Sequence, residues 1–129
     1  MNPLSKKFEG TRIILGSNSP RRQELLKQLG LTFDVLVHEV DESYPEQFRR
    51  EDIAMFLARK KALAFKGDVA DGGIVITADT IVALDELILG KPKDRTDAAR
   101  MLKLMAGRKH SVITGVCVMS SKKSESFFV

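Results

Sequence analysis

The apolar positions of this chain change period several times, and each change predicts an element. Ile13-Ile14-Leu15 is a short continuous apolar run, read as a strand, and Gly16-Ser17-Asn18-Ser19 turns out of it. Ser19 stands where a helix N-cap belongs and Pro20 at the first helical position. Leu25, Leu26 and Leu29 then share one side of a helix running to about Gln28, which Gly30 closes. Phe33, Val35 and Val37 alternate within Thr32–His38 and predict a second strand. A long helix is expected from about Arg50 to Phe65, on Ile53, Phe56, Leu57, Leu63 and Ala64. Ile74–Thr77 reads as a strand buried on both faces, interrupted by Ala78-Asp79-Thr80 and resumed over Ile81–Leu84. Asp85-Glu86 marks a tight reversal, and Leu87-Ile88-Leu89 runs back until Gly90-Lys91-Pro92 stops it. In a hairpin of that size Leu84 pairs with Leu87. Counting outward sets Thr80 opposite Lys91 and Lys91 beside Asp79, unless a bulge shifts the register. Thr96–Met105 predicts an amphipathic helix (Ala98, Met101, Leu102, Met105) capped at Gly107, and Ser111–Met119 a further strand. Ser120–Glu125 is polar, and Ser126–Val129 begins another strand. No internal repeat or second-domain boundary interrupts the 129 residues, a length that suits one domain.

Composition changes this picture only slightly. At 43% hydrophobic the chain is ordinary globular material, and its net charge of +4 favours anionic ligands in general. The cations are dispersed, there is no Trp and a single Tyr, so nucleic-acid binding is a minority reading. One cysteine, Cys117, excludes an intrachain disulfide, offers no zinc constellation and fits a small core residue. No apolar run has the length of a membrane span, Met1–Gly10 lacks a signal-peptide core, and a cytoplasmic location is expected.

Candidate chemistry starts at the first helix. Acids are favoured in a helix's first turn, yet Arg21 and Arg22 stand there. A strong anion over the turn accounts for them: free N–H groups, small hydroxyls such as Ser17 and two guanidiniums make a phosphate cradle. The bland alternative is an exposed helix start with solvated arginines. Asp79 is the second anchor, because a carboxylate at the end of an apolar strand must be solvated, paired or metal-bound. It is either a structural aspartate bonded to a turn or, with Glu42, a holder of Mg²⁺, which enters sites together with polyphosphates. Arg21, Arg22, Lys61 and Lys91 would neutralise such phosphates, and an aspartate near them would activate water. On the long helix Lys60 points into the apolar arc and Lys61 to its edge. Snorkelling explains either, and geometry does not choose between them. His38 and His110 are isolated, and Tyr44 either closes over a base or packs on the surface.

Six short motifs occur in order: Leu15–Arg22 with Glu24-Leu25-Leu26, Val40-Asp41-Glu42, Leu57-Ala58-Arg59-Lys60-Lys61-Ala62, Ala78-Asp79-Thr80, Gly90-Lys91-Pro92, and Gly107-Arg108-Lys109-His110-Ser111-Val112-Ile113-Thr114. Together, from about Arg12 to Phe128, they closely resemble the Maf family of nucleoside triphosphate pyrophosphatases. The resemblance implies an α/β fold with a mixed central sheet flanked by helices and a cleft, akin to the inosine triphosphate pyrophosphatases. It implies hydrolysis of a nucleoside triphosphate to the monophosphate and pyrophosphate with a divalent metal, Mg²⁺ or Mn²⁺, in a homodimer. By the same resemblance Asp79 accepts the proton of the attacking water, and Ser17, Arg21, Arg22, Lys61 and Lys91 hold the phosphates. Glu42 joins Asp79 at the metal or the water, and Lys61 is preferred over Lys60. Pro20-Arg21-Arg22 and Ala78-Asp79-Thr80 look like the branch acting on dTTP and UTP, which gives Arg21 and Thr80 a bearing on specificity. The branch acting on 7-methyl-GTP has a Trp after the Pro and a Gln after the Asp. Family members continue beyond Val129 through further strands and a Gly-rich segment with a site glutamine, so the domain is expected to be C-terminally shortened, with one cleft wall missing. The competing reading is a nucleotide- or nucleic-acid-binding module without turnover. A purely structural protein leaves Arg21 and Arg22 unexplained.

Overall fold

A computed structural model describes residues 10–84, 87–89, 94–107 and 109–128. The chain order is β1 (Ile13–Leu15), α1 (Pro20–Gln28), β2 (Asp34–Val35), α2 (Arg50–Leu63), β3 (Ile74–Leu84), β4 (Leu87–Leu89), α3 (Arg95–Met105), β5 (Ser111–Ser120) and β6 (Ser124–Phe128). The strands make one mixed sheet in the order β2–β1–β3–β5–β6, with β4 on β3 as well. β1 pairs in parallel with β2 and β3, and the remaining pairings are antiparallel.

Local chemistry sets the helix ends. The Ser19 hydroxyl accepts the Arg22 N–H at 3.3 Å, Pro20 opens α1, and Gly30 takes φ 78° just past its end. α2 carries Glu51 and Asp52 in its first turn and Lys60 and Lys61 in its last, matching the helix dipole at both ends. Asp94 caps α3 through the Asp97 N–H at 2.8 Å. α3 buries none of its residues, and Leu102, predicted on its apolar side, is exposed.

The core lies between α2 and one face of β3 and β5. Ile14, Ala58, Ala62, Phe65, Val69, Val75, Cys117 and Met119 form one cluster, and Ile53, Ala54, Leu57, Ile81 and Ile113 the other. Cys117 is thus a core residue, as read from its apolar run. The buried stripe of α2 is Ile53, Ala54, Leu57, Ala58 and Ala62, whereas Leu63 is 48% exposed. Small residues carry this contact because the helix lies close on the sheet. A Cβ on Gly115 of β5 would stand 2.3 Å from the Ala54 carbonyl carbon and oxygen. Thr77 of β3 ties the same layers together, its hydroxyl donating to the Ala58 carbonyl at 2.6 Å. Thr77→Val is expected to lower stability by about 1 kcal/mol, read as a lower urea midpoint at constant slope. An unchanged midpoint would show that this bond contributes nothing net.

Two expectations are corrected. The predicted strand over Thr32–His38 contracts to Asp34–Val35, because its partner among the described residues, β1, is three residues long. Val35 and Val37 are exposed there, and Leu36 packs on the core instead. The predicted break at Ala78-Asp79-Thr80 is absent. β3 runs unbroken because β5 pairs with it continuously from Ile74↔Ser120 to Ala83↔Ser111. The hairpin register Leu84↔Leu87 is as predicted, continuing to Val82↔Leu89. Gly90-Lys91-Pro92, and with it the place of Lys91 beside Asp79, lies outside the described residues.

Candidate active site

The site forms where β3 changes neighbours on one edge. β1 accompanies it from Ile74 to Ile76, and the Gly16 N–H closes that pairing on the Ile76 carbonyl at 2.9 Å. β4 joins only at Val82. Between them no described residue pairs with this edge, and carbonyls alternate in direction, so that of Ala78 points the same way as that of Ile76. Arg22 reaches this stretch. One guanidinium nitrogen donates to the Ala78 carbonyl at 3.3 Å and to Ser17 Oγ at 3.4 Å, and the other to Thr80 Oγ1 at 2.9 Å. Thr80 Oγ1 in turn lies 3.0 Å from Thr114 Oγ1. Ser17 Oγ also accepts the Ser19 N–H at 3.1 Å, so its own O–H remains to donate to a ligand. Gly16 is required at this turn, since a Cβ there would meet the Phe65 ring at 2.9 Å.

Successive side chains of a strand point to opposite faces, so Asp79 faces α2 while Ala78 and Thr80 face away. Lys61 meets it, with Nζ 2.7 Å from Asp79 Oδ1 and 3.5 Å from Glu42 Oε1. The pair is withdrawn from water, the side chains being 21% (Lys61) and 12% (Asp79) exposed. Lys61, Glu42, Ser17 and Arg22 line one cleft of about 560 Å³ with residues 37–40 and Phe65. This is a suitable size for a small-molecule ligand. Asp79 lies behind Lys61 rather than on the lining itself.

Lys60 and Lys61 divide because consecutive helical positions differ by about 100°. Lys61 turns into the cleft, and Lys60 snorkels over the Phe56 ring at 5.8 Å toward Asp41 and Ser43. The same rotation separates the arginines. Arg21 is exposed and lines a more apolar groove with Leu25, Leu26, Val112 and Val116, on the face of the sheet opposite α2, a groove that Arg22 borders as well as the cleft. The paired-guanidinium cradle expected from the spacing is therefore built on Arg22, Ser17 and the turn, with Arg21 outside the cleft.

Sequence reasoning missed His38. Its Nε2 lies 2.8 Å from Asp68 Oδ2 and its ring packs on Phe65 with centroids 4.5 Å apart, in the wall of the same cleft. No spacing announced it, because both partners belong to the turns after α2, about 30 residues on. His110 and Tyr44 are exposed. Asp41 has its carboxyl held below the usual carboxylate range, first by the Ser43 hydroxyl, then by the Ser43 N–H and the Lys60 ammonium. A depressed carboxyl stabilises the fold above the unfolded-state value near 4 and loses that contribution as pH falls through its own lower value.

Carboxylates suit a hard cation. Among the described residues no three His, Cys, Asp or Glu side chains are grouped to cage a metal. Glu42 and Asp79 instead share one cationic position, held by Lys61 Nζ. That is the donor set of an ion that takes one or two carboxylates and completes its shell with water and phosphate. No helix among the described residues is long and apolar enough to cross a membrane.

Known proteins share this arrangement of elements. The chain is similar to a dTTP/UTP pyrophosphatase of Flavobacterium psychrophilum, 46% identical over 122 residues that cover 95% of this chain and 63% of that protein. A dTTP/UTP pyrophosphatase of Porphyromonas gingivalis is 46% identical over 90% of this chain and 60% of its own length. One from Phocaeicola vulgatus is 42% identical over 96% and 65%. The chain thus spans 60–65% of the length of these curated relatives. In fold it is similar to a nucleoside-triphosphatase / dITP/XTP pyrophosphatase of Mycobacterium abscessus, with TM-score 0.56 and 19% identity over 92% of this chain and 70% of that one. The Ham1 protein of Staphylococcus aureus gives TM-score 0.57 and 14% identity over 92% and 68%. The family model described as Maf-like protein matches residues 12–128, nearly the whole chain, and the chain belongs to the Maf family.

Proposed function

We propose that the cleft hydrolyses a pyrimidine nucleoside triphosphate, dTTP or UTP, to the monophosphate and pyrophosphate. The observation that carries this reading is the Lys61 ammonium held between Asp79 and Glu42, across one cleft from Ser17 and Arg22. The names of the relatives support the substrate class.

In this mechanism the Ser17 O–H and Arg22 bind phosphate oxygens, and Lys61 shifts from its carboxylates onto the polyphosphate. Asp79, relieved of the ammonium, accepts a proton from the water that attacks the α-phosphorus. The new bond joins the water oxygen to the α-phosphorus, the α–β P–O bond breaks, and pyrophosphate carries away the electron pair. The proton on Asp79 then passes to solvent. A divalent metal, Mg²⁺ or Mn²⁺, would be held by Glu42 and Asp79 and supplies charge neutralisation to the phosphates. Thr80 and Arg21 bear on base preference, Lys91 is a further phosphate ligand, and the working form is a cytoplasmic homodimer.

The test is pyrophosphate release from a panel of nucleoside triphosphates with Mg²⁺. Release from dTTP or UTP above the purine nucleotides is expected. Binding without release would replace this reading by a nucleotide-binding module. In the same assay Arg22→Lys is expected to lower kcat/KM about tenfold or more, because an ammonium cannot bridge Ser17, Ala78 and Thr80 as the planar fork does. Equal kcat/KM in the variant would remove Arg22 from the site.

A further inference from the structure

The cleft wall that carries Glu42 has no secondary structure. The last backbone link before it is the Leu36 N–H to the Leu15 carbonyl at 3.1 Å, and residues 38–43 then cross the surface as a strap. Side chains hold the strap at both ends. At the start His38 bonds Asp68 at 2.8 Å and packs its ring, tilted by 44°, on Phe65, itself fully buried in the core. At the end Lys60 lies 3.7 Å from Asp41 and donates to the Ser43 carbonyl at 3.4 Å. Asp41 also accepts the Ser43 hydroxyl at 2.6 Å and N–H at 3.1 Å, which stiffens the turn that Lys60 grips. None of these anchors takes part in the chemistry proposed above.

Among the described residues Glu42 itself is held only loosely, by Lys61 at 3.5 Å. That hold fails at the moment it matters, because in the reaction Lys61 moves to the phosphates. An anchor independent of Lys61 is then needed. Lys60 is suited to it, with its ammonium 5.8 Å from the centre of the Phe56 ring and turned toward the strap.

We propose that Lys60 and His38 are positioning residues, pinning the 38–43 strap to α2 and the turn after it so that Glu42 stays directed at Asp79 when Lys61 is drawn away. The catalytic consequence rests on the reading of the cleft given above. The anchoring does not.

The experiment follows glutamate-specific proteolysis of the native chain after Glu39 and Glu42, both exposed on the strap. Native-state cleavage tracks the population of the opened segment. Lys60→Met keeps an unbranched side chain of similar length and removes the charge, and His38→Phe keeps a ring against Phe65 and removes the bond to Asp68. Each is expected to speed cleavage at these two sites about fivefold, the scale of a lost ion-pair or hydrogen-bond anchor, with the melting temperature unchanged. Lys60→Arg restores the wild-type rate. In the pyrophosphate assay Lys60→Met lowers kcat with little change in KM, because every phosphate ligand is intact, and Lys60→Arg restores kcat. Wild-type cleavage in both Lys60→Met and His38→Phe overturns the proposal. So does failure of Lys60→Arg to protect, or acceleration spread over the whole chain with a lower melting temperature. If the unsubstituted chain releases no pyrophosphate, the reading of the cleft fails, and the cleavage rates alone decide the strap.

Discussion

Asp79→Asn is expected to abolish pyrophosphate release while the chain still folds and still binds nucleotide. The change removes one charge and almost no volume. The amide oxygen remains able to accept from Lys61 Nζ, now 2.7 Å from Oδ1, and Glu42 at 3.5 Å still partners the ammonium. Lys61 is thus not left as an unpaired buried charge, and the large penalty for breaking a buried pair does not apply. What disappears is the carboxylate that β3 directs at Lys61 behind the cleft. An amide accepts no proton from water at neutral pH, and loss of a positioned general base lowers turnover by about 10²–10⁴-fold. Thermal unfolding, nucleotide titration and pyrophosphate release measured on the same preparation separate the possibilities. Turnover undiminished in the variant would sink the assignment of Asp79. Lost binding together with lost turnover would mean that Asp79 organises the cleft through Lys61 rather than activating water.

Gly115→Ala is expected to damage the fold itself. Its Cβ would stand 2.3 Å from the carbonyl carbon and oxygen of Ala54 and 2.6 Å from the Met55 nitrogen. These are backbone atoms of α2, so no side chain can swing aside and the whole helix must lift from the sheet. Overpacking of this kind costs about 1–3 kcal/mol and more where nothing can relax, a drop in melting temperature of about 10 °C or beyond for a domain of this size. The site suffers too. Gly115 is the register partner of Asp79 across β3 and β5, and α2 brings Lys61 to Asp79, so lifting the helix separates the pair. Gly67→Ala provides the control, because a Cβ there meets nothing within 4 Å, and its melting temperature should stay at or slightly above wild type. A Gly115→Ala chain that melts like wild type would show that α2 does not rest on the sheet as described.

What the sequence determined by itself is the part ruled by near neighbours. Ser19, Pro20 and Gly30 set both ends of α1, because capping joins groups only a few residues apart. The two-residue reversal set Leu84 opposite Leu87 for the same reason. The motif order, compared with a known family, supplied Asp79, Ser17, Arg21, Arg22, Lys61, Lys91 and Glu42 as one set. Ser17, Arg22, Lys61 and Glu42 line one cleft with Asp79 behind Lys61, Arg21 stands outside it, and Lys91 lies outside the described residues.

Tertiary structure decided the rest, because the deciding partner lay far along the chain. Ala78-Asp79-Thr80 reads locally as a break, yet β5, more than 30 residues on, pairs straight through it and places the aspartate mid-strand. Periodicity puts Lys60 in the apolar arc of α2 and Lys61 at its edge and does not choose between them. Only the position of Asp79 on the face of β3 toward α2 separates the lysine that serves the cleft from the one that grips Asp41. Arg21 and Arg22 read as a pair, but a turn of about 100° per residue sets Arg22 against β3, bonded to Ser17, Ala78 and Thr80 and bordering the grooves on both faces, and leaves Arg21 in the groove opposite α2 alone, a difference that exists only once β1 and β3 have assembled. His38 had no signal in its own segment, since Asp68 and Phe65 give it a place only after the turns beyond α2 fold back against the strap.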